Sequence, residues 1–228
     1  MRIKKLTLFS ADLESQKLFY RDTLGFDLLN ETSESFSISM GWSILSFKKS
    51  KEKFLYHYCF LIPSNKLDEG FEWFKNRVDI VSFEGNTKFD FESWNAKSFY
   101  FLDGSGNIAE CIVRYDLDNP SLSKFSISDL LCVNEIGSPT NQIQKFNESL
   151  EMSIGSTFWK GDLSRFGTNG NNEGLFLLVN PEIKKVWYPT NTLTQSSPFE
   201  ASIETNKGIF EISYSGQDIL VIQKVLVP

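Results

Sequence analysis

Apolar and polar residues alternate along many short segments of this chain, and a few longer segments repeat apolar residues at helical spacing. The segment 3–10 alternates as a strand does, and Asp12 is a suitable N-cap for a helix that ends at Gly25. Shorter alternating segments, separated by turn residues, follow at 26–30, 35–40 and 43–48. Together these elements predict one β-α-β-β-β unit.

The same order of elements recurs about 52 residues further along. A second helix is predicted where Leu67, Phe71 and Phe74 share one face. The strand patterns around it cover 54–62, 80–91, 97–102 and 108–115. Residues 1–116 therefore contain two copies of one unit, and an internal repeat of this kind indicates a fold built from repeated units.

The order begins again after a polar segment at 116–123, which is typical of a linker. A strand pattern at 125–133 precedes Ser138 and Pro139, which suit the N-cap and first turn of a third helix. Further strand patterns cover 175–179, 186–188, 199–204, 208–214 and 219–226, and the Asn- and Gly-rich segment 167–174 is typical of a mobile loop. We therefore predict a second, degenerate copy of the first half at 122–228.

Composition limits the classes of function. The 228 residues are 41% hydrophobic and 23% charged, as in ordinary globular proteins, and the net charge is −6. An acidic chain disfavours nucleic acid as a partner, because phosphate contacts need a clustered positive surface. No apolar run approaches the ~20 residues of a membrane helix, and no signal peptide is evident. Three scattered cysteines fit a reducing compartment, so we expect a cytoplasmic protein that binds neither nucleic acid nor membranes.

Two motifs of the first half are similar to a known family. They are FYRDTLGF at 19–26 and SFYFLDGSGNIAE at 98–110. Both resemble the vicinal oxygen chelate superfamily, which includes glyoxalase I, fosfomycin- and bleomycin-resistance proteins and extradiol dioxygenases; the fosfomycin-resistance transferases are the most similar. The resemblance covers 1–116 and implies an α+β fold, in which paired β-α-β-β-β units form a cup-shaped mixed sheet.

The resemblance also implies a metal site in the cup with three protein ligands. One comes from the first strand, one from the strand that opens the second unit, and one is a glutamate near the last strand. Carried over to this sequence, the positions are Lys5, His57 and Glu110, where the family pattern has His in place of Lys5. His57 is the only histidine of the chain. Strand alternation places all three side chains on faces that would line the cup.

A lysine at the first position argues against an ordinary metal site. Its ammonium group has no lone pair to donate and repels a dication. We therefore predict an impaired triad without a cofactor, in which Lys5 pairs with Glu110 beside His57. The alternative is one divalent metal (Fe, Mn, Zn or Ni) on His57 and Glu110, completed by water or another side chain.

Other side chains are predicted to complete the cup. They are Phe9, Trp42, Cys59, Tyr100 and Arg114, with Phe47 and Trp94 as further aromatic candidates. Aromatic walls with a few polar groups are typical of small-molecule sites, so we expect a small, partly aromatic ligand.

Two functions remain open from the sequence. The first is a binding protein on an enzyme scaffold that has lost its metal chemistry. The alternative is an active lyase, dioxygenase or thiol transferase, with Glu110 as ligand, His57 as ligand or general base, and Lys5 as a clamp on a substrate oxyanion. Relatives with one pair of units complete their cups as dimers, and the second half could replace that partner. We therefore expect a monomer or a homodimer.

Overall fold

Two sheets organise the chain, and each takes strands from both halves of the sequence. The computed structural model describes residues 1–216 and 218–225, with 219–225 described by their backbone. The strands are β1 (Arg2–Ser10), β2 (Ser35–Met40), β3 (Ser43–Lys49), β4 (His57–Leu61), β5 (Phe89–Phe91), β6 (Ala96–Leu102), β7 (Ile108–Arg114), β8 (Cys132–Pro139), β9 (Phe158–Gly161), β10 (Phe166–Asn171), β11 (Gly174–Val179), β12 (Phe199–Thr205), β13 (Gly208–Tyr214) and β14 (Ile219–Val225). The α-helices are α1 (Leu13–Leu18), which continues as a π-helix (Phe19–Thr23), α2 (Leu67–Lys75) and α3 (Ile143–Ile154).

The order of strands shows which repeated units are paired. The six-stranded sheet has the order β14-β13-β12-β1-β3-β2, so the first unit joins the last strands of the chain. The eight-stranded sheet has the order β5-β6-β7-β4-β8-β11-β10-β9, so the second unit joins the third. The predicted α+β class with paired units is confirmed. The prediction of a cup formed within 1–116 is wrong, because the two units of that half lie in different sheets. Each sheet instead combines strands from 1–116 with strands from 122–228.

The first unit begins as predicted. The side chain of Asp12 accepts a hydrogen bond of 3.0 Å from the backbone N–H of Ser15 and so caps α1. Gly25 follows the helical segment with a φ of 82°, a conformation that glycine adopts without steric cost. Leu6 and Leu8 are fully buried and belong to the large core that the sheets and helices share.

A buried polar network explains why the two family motifs occur together. Tyr20, from the first motif, places its hydroxyl 2.5 Å from that of Tyr58. The Tyr58 hydroxyl donates a 2.6 Å hydrogen bond to Asp103, which lies in the second motif. Gln16 and Asn107 also donate to Asp103. Burial raises the pKa of Asp103 while these donors lower it, so the carboxylate is satisfied where α1 meets the β6–β7 turn.

Two predicted strands are reduced to single bridges, and a third is much shorter than predicted. The segment 26–30 contributes only the pair Leu29–Ser37, and 186–188 only the pair Val186–Leu193. Of 80–91, only Phe89–Phe91 is a strand, because Glu84 and Gly85 have φ values of 50° and 80° and form a turn. The predicted strand at 219–226 is observed at 219–225, and Leu226 lies outside the described residues.

The third unit begins later than predicted. A 3-10 turn at Ile127–Asp129, capped by Ser126, lies within the predicted strand 125–133, and β8 begins only at Cys132. Pro139 lies at the end of β8, paired with Val179, and α3 begins only at Ile143. Proline suits this end of a strand because it has no N–H to contribute to the ladder.

The Asn- and Gly-rich segment 167–174 belongs mostly to β10 and not to a loop. Gly170 has a φ of 130°, and a Cβ there would lie 2.1 Å from the carbonyl oxygen of Gly174. Glycine is thus required where β10 turns into β11. The short strand β9 beside it was not anticipated.

The β2–β3 turn offers a test of how closely the two sheets are joined. Gly41 has a φ of 46°, and a Cβ there would lie 1.8 Å from the carbonyl oxygen of Leu131, just before β8. We expect Gly41→Ala to lower the free energy of unfolding by about 3 kcal/mol or more, because the backbone must move. The control Gly85→Ala has a φ of 80° with no atom within 4 Å, and should cost only about 1 kcal/mol. Equal losses in urea unfolding would contradict this close approach.

Candidate functional site

A cavity of about 260 Å³ opens against the eight-stranded sheet, and both halves of the chain contribute to it. We call it the cup. Its lining residues are His57, Phe91, Trp94, Tyr100, Glu110, Ile112, Glu135, Phe166, Leu177, Lys184, Trp187 and Tyr188. Half of them are aromatic, and the histidine and the two glutamates lie on the central strands β4, β7 and β8.

His57, Glu110 and Glu135 come together in the cup. One potential ligand atom from each lies within 4.8 Å of the others, and all three residues are buried. Nε2 of His57 is 3.1 Å from Oε2 of Glu110. The register explains this convergence: β7 and β8 flank β4, and both Glu110 and Glu135 lie opposite Cys59. His57 is two residues before Cys59 and therefore on the same face of β4.

Arg114 supplies the positive charge beside these carboxylates. Its guanidinium is fully buried, and Nη2 forms an ion pair with Glu135. Nε donates a 2.8 Å hydrogen bond to Asn134, and the guanidinium lies 5.7 Å and 5.6 Å from the ring centroids of Trp94 and Trp159. Burial raises the pKa of Glu135, and Arg114 opposes this shift by stabilising the ionised carboxylate.

The donor set fits a divalent cation. When both carboxylates are ionised, Arg114 balances the charge of Glu135, and a bound cation would balance that of Glu110. Ligand atoms at about 2.1 Å from one ion lie at most about 4.2 Å apart, so small side-chain movements would close a 4.8 Å set around it. His57 also has a buried Nδ1 without a hydrogen-bond partner among the described residues.

Lys5 does not belong to this site. It is exposed on β1 in the six-stranded sheet, where it pairs with Ser202 and Ile44. The predicted convergence of Lys5 with His57 and Glu110 is therefore wrong. The impaired triad was predicted from a lysine at the first ligand position, and β8 places the carboxylate of Glu135 beside His57 and Glu110 instead.

Glu135 is the candidate metal ligand that the sequence did not predict. Lys5 lies eight residues before α1, and Glu135 lies eight residues before α3, so the two positions are equivalent in their units. Placing the third helix at Ser138 and Pro139 moved the expected strand to 125–133. Counting back from the helix start observed at Ile143 would have identified Glu135.

Of the predicted cup residues, Tyr100 and Trp94 line the cavity, whereas Arg114 and Cys59 are fully buried and do not line it. The ring of Tyr100 lines the cavity, 6.0 Å from the imidazole of His57. Cys59 is fully buried in an apolar cluster with Leu61 and others. Burial raises the pKa of its thiol well above the ordinary value, so Cys59 is not an activated thiolate.

Three predicted aromatic residues do not line the cup. Phe9 is half-buried on the six-stranded sheet and packs edge-on against Phe54 at 6.5 Å. Phe47 is fully buried in the core of that sheet. Trp42 lies at the β2–β3 turn under the guanidinium of Arg2, 5.0 Å from it. All three lie on or beside the first unit, which the predicted fold had placed in the cup.

The connection between β11 and β12 contributes three lining residues that were not anticipated. Lys184, Trp187 and Tyr188 come from this segment. The Trp187 ring meets the His57 imidazole edge-on at 4.9 Å. It also covers Gly137, where a Cβ would lie 2.7 Å from the indole. The WYP sequence at 187–189 is distinctive, but no neighbouring residue indicates that Trp187 contacts His57.

The comparisons with known proteins agree with this architecture. No family model matches the chain. Metallothiol transferase FosB from Staphylococcus haemolyticus is 34% identical over 116 residues, which is 47% of this chain and 80% of that protein. FosB from Staphylococcus epidermidis is similar over the same lengths, also at 34% identity.

Two solved structures show the fold over most of the chain. A candidate dioxygenase from Bacillus subtilis has a TM-score of 0.59 at 11% identity, covering 96% of this chain and 83% of that one. A glyoxalase I variant from Zea mays has a TM-score of 0.52 at 10% identity, covering 78% and 69%. The chain is an α+β protein in which paired β-α-β-β-β units surround a buried histidine and two buried carboxylates. The chain belongs to the vicinal oxygen chelate superfamily.

In the described part of the chain, no helix has the length and apolar character needed to cross a membrane.

The pairing of Arg114 with Glu135 yields a stability prediction for metal-free protein. We expect Arg114→Met to lower the free energy of unfolding by about 3–5 kcal/mol, because Glu135 is left buried without its cation. Arg114→Met combined with Glu135→Gln should recover a large part of that loss, since the uncompensated charge is gone. Urea unfolding in the presence of EDTA measures both. If the double variant is no more stable than the single one, Arg114 acts through its packing between the indoles.

Proposed function

We propose that the cup is a metal-dependent catalytic site that acts on a small aromatic substrate with two neighbouring oxygen atoms. The observation that carries this proposal is the convergence of three buried ligand atoms, from His57, Glu110 and Glu135, at an aromatic cavity. The name of the FosB relatives, which denotes a metal-dependent thiol transferase, supports the metal.

The composition of the ligand set favours a hard or borderline ion. Two carboxylates and one imidazole suit Mn²⁺ or Fe²⁺ better than ions that prefer sulfur ligands. When bound, such an ion would supply positive charge to the two substrate oxygens. Arg114 would hold one oxygen of Glu135, leaving the other free to face the ion.

The chain's own residues suit a substrate with an aromatic ring. The rings of Phe91, Trp94, Phe166 and Trp187 would enclose it and exclude water. Tyr100 lies beside Glu110, and burial keeps the pKa of its phenol well above the ordinary value. A phenol that stays protonated would donate a hydrogen bond to a substrate oxygen.

Among the reactions of the family, these features favour a dioxygenase-type reaction over thiol transfer. All three cysteines are buried, and burial raises the pKa of each thiol. The chain therefore offers no thiolate of its own, and either reaction would take its second substrate, a thiol or dioxygen, from solution. The aromatic lining is also better matched to a ring than to a small polar molecule.

Metal content tests the proposed site directly. We expect protein dialysed against Mn²⁺ or Fe²⁺ to retain about one metal per chain by inductively coupled plasma mass spectrometry. Glu135→Ala should bind the metal at least about a hundredfold more weakly in chelator competition, because one of three protein ligands is lost. Lys5→Ala is the matched control and should bind as the wild type does, since Lys5 lies in the other sheet.

Two outcomes would contradict the proposal. Wild-type protein that stays metal-free under all these conditions would favour a binding protein without metal chemistry. Wild-type metal affinity in both Glu135→Ala and Lys5→Ala would show that the ion binds elsewhere. Unfolding curves of both variants serve to exclude a general loss of structure.

A further inference from the structure

One side chain of the cup has no place in the proposed metal chemistry. Lys184 is the single lysine or arginine among the lining residues, and it is half-buried after β11. Its ammonium lies 5.5 Å from the ring centroid of Phe166 and 5.8 Å from that of Trp187. A 3.4 Å hydrogen bond to the carbonyl oxygen of Val186 is the polar contact that it makes.

Lys184 has no acidic partner in the described part of the chain. Its neighbouring charge is a second cation, Arg165, and both burial and that charge lower the pKa of the ammonium. The two carboxylates of the cup have other partners, since Glu135 pairs with Arg114 and Glu110 contacts His57. A partly desolvated cation without a counterion gains from an anionic group that enters the cup.

We propose that Lys184 determines substrate specificity by binding the carboxylate of a small aromatic acid, whose ring packs among the aromatic walls of the cup. This inference rests on the proposed function of the cup as a ligand site. It narrows the substrate from an aromatic molecule to an aromatic anion. A single ammonium supplies one unit of positive charge, which one carboxylate balances.

The size of the cup sets the scale of the ligand. A volume of about 260 Å³ exceeds the roughly 150 Å³ that holds a benzene ring in an engineered protein cavity. One ring with a short acidic substituent therefore fits in this space. The rings of Phe166 and Trp187 hold the ammonium at the edge of this space, so that ring binding and charge recognition act on the same molecule.

The test compares two probes of nearly equal size, phenylacetate and its neutral amide phenylacetamide. Binding is followed through the fluorescence of Trp94 and Trp187, which both line the cup. In EDTA-treated wild-type protein, we expect phenylacetate to bind about tenfold more tightly, because its carboxylate forms a charge-assisted hydrogen bond with Lys184. In Lys184→Met this preference should fall to about one, with the affinity for phenylacetamide unchanged.

Two further variants sharpen the result. Lys184→Arg keeps the charge and should keep a preference for phenylacetate. Lys185→Met removes the adjacent, exposed lysine and should behave as the wild type does, which excludes a general effect of net charge. A preference that survives in Lys184→Met overturns the inference, and so does equal binding of the two probes, or binding of neither, by wild-type protein.

Repeating the titrations with Mn²⁺ separates this inference from the proposed metal site. Suppose that the preference for phenylacetate appears only with Mn²⁺ and persists in Lys184→Met. The carboxylate then binds the ion, which overturns the role of Lys184 and supports the proposed metal site. A preference that depends on Lys184 in protein that retains no metal supports the inference while the metal proposal fails.

Discussion

The antiparallel pairing of β4 with β8 is the interaction on which the site depends. It joins the second repeated unit to the third across the middle of the chain, and it places Glu135 opposite Cys59, level with Glu110. Neither half of the chain contains the site alone, because His57 and Glu110 come from one half and Glu135 from the other. Breaking this pairing would open the cup and separate the three ligand atoms at once.

Local patterns in the sequence were sufficient for most elements of the fold. Alternation predicted β1, β2, β3 and β7, and the cap at Asp12 defined the start of α1. Such features depend on neighbouring residues, so a single sequence contains them. Segments with mixed signals failed, as where Ser138 and Pro139 suit a helix start but end a strand. Tertiary pairing decides such cases, and the parallel ladder to β11 keeps Pro139 in β8.

The candidate site was only half predictable for the same reason. Glu110 lies within the second motif and His57 is the only histidine of the sequence, so both could be recognised locally. Whether the third position comes from β1 or β8 depends on which units pair, and equivalent positions in repeated units carry no local sign of that choice. Lys5 and Glu135 are equally distant from their helices. Their side chains do differ, because the carboxylate of Glu135 can bind a metal ion and the ammonium of Lys5 cannot.

The two sheets differ in whether their charged side chains are buried. On the six-stranded sheet, Lys5 is exposed and the ion pair of Lys48 with Glu200 is open to solvent, where such pairs contribute little to stability. On the eight-stranded sheet, the pair of Arg114 with Glu135 is fully enclosed, and a second carboxylate lies beside it. Enclosed carboxylates in excess of cations lower stability, and well-packed apolar residues would serve the fold better. Their presence at an aromatic cavity is therefore best explained by what they bind there.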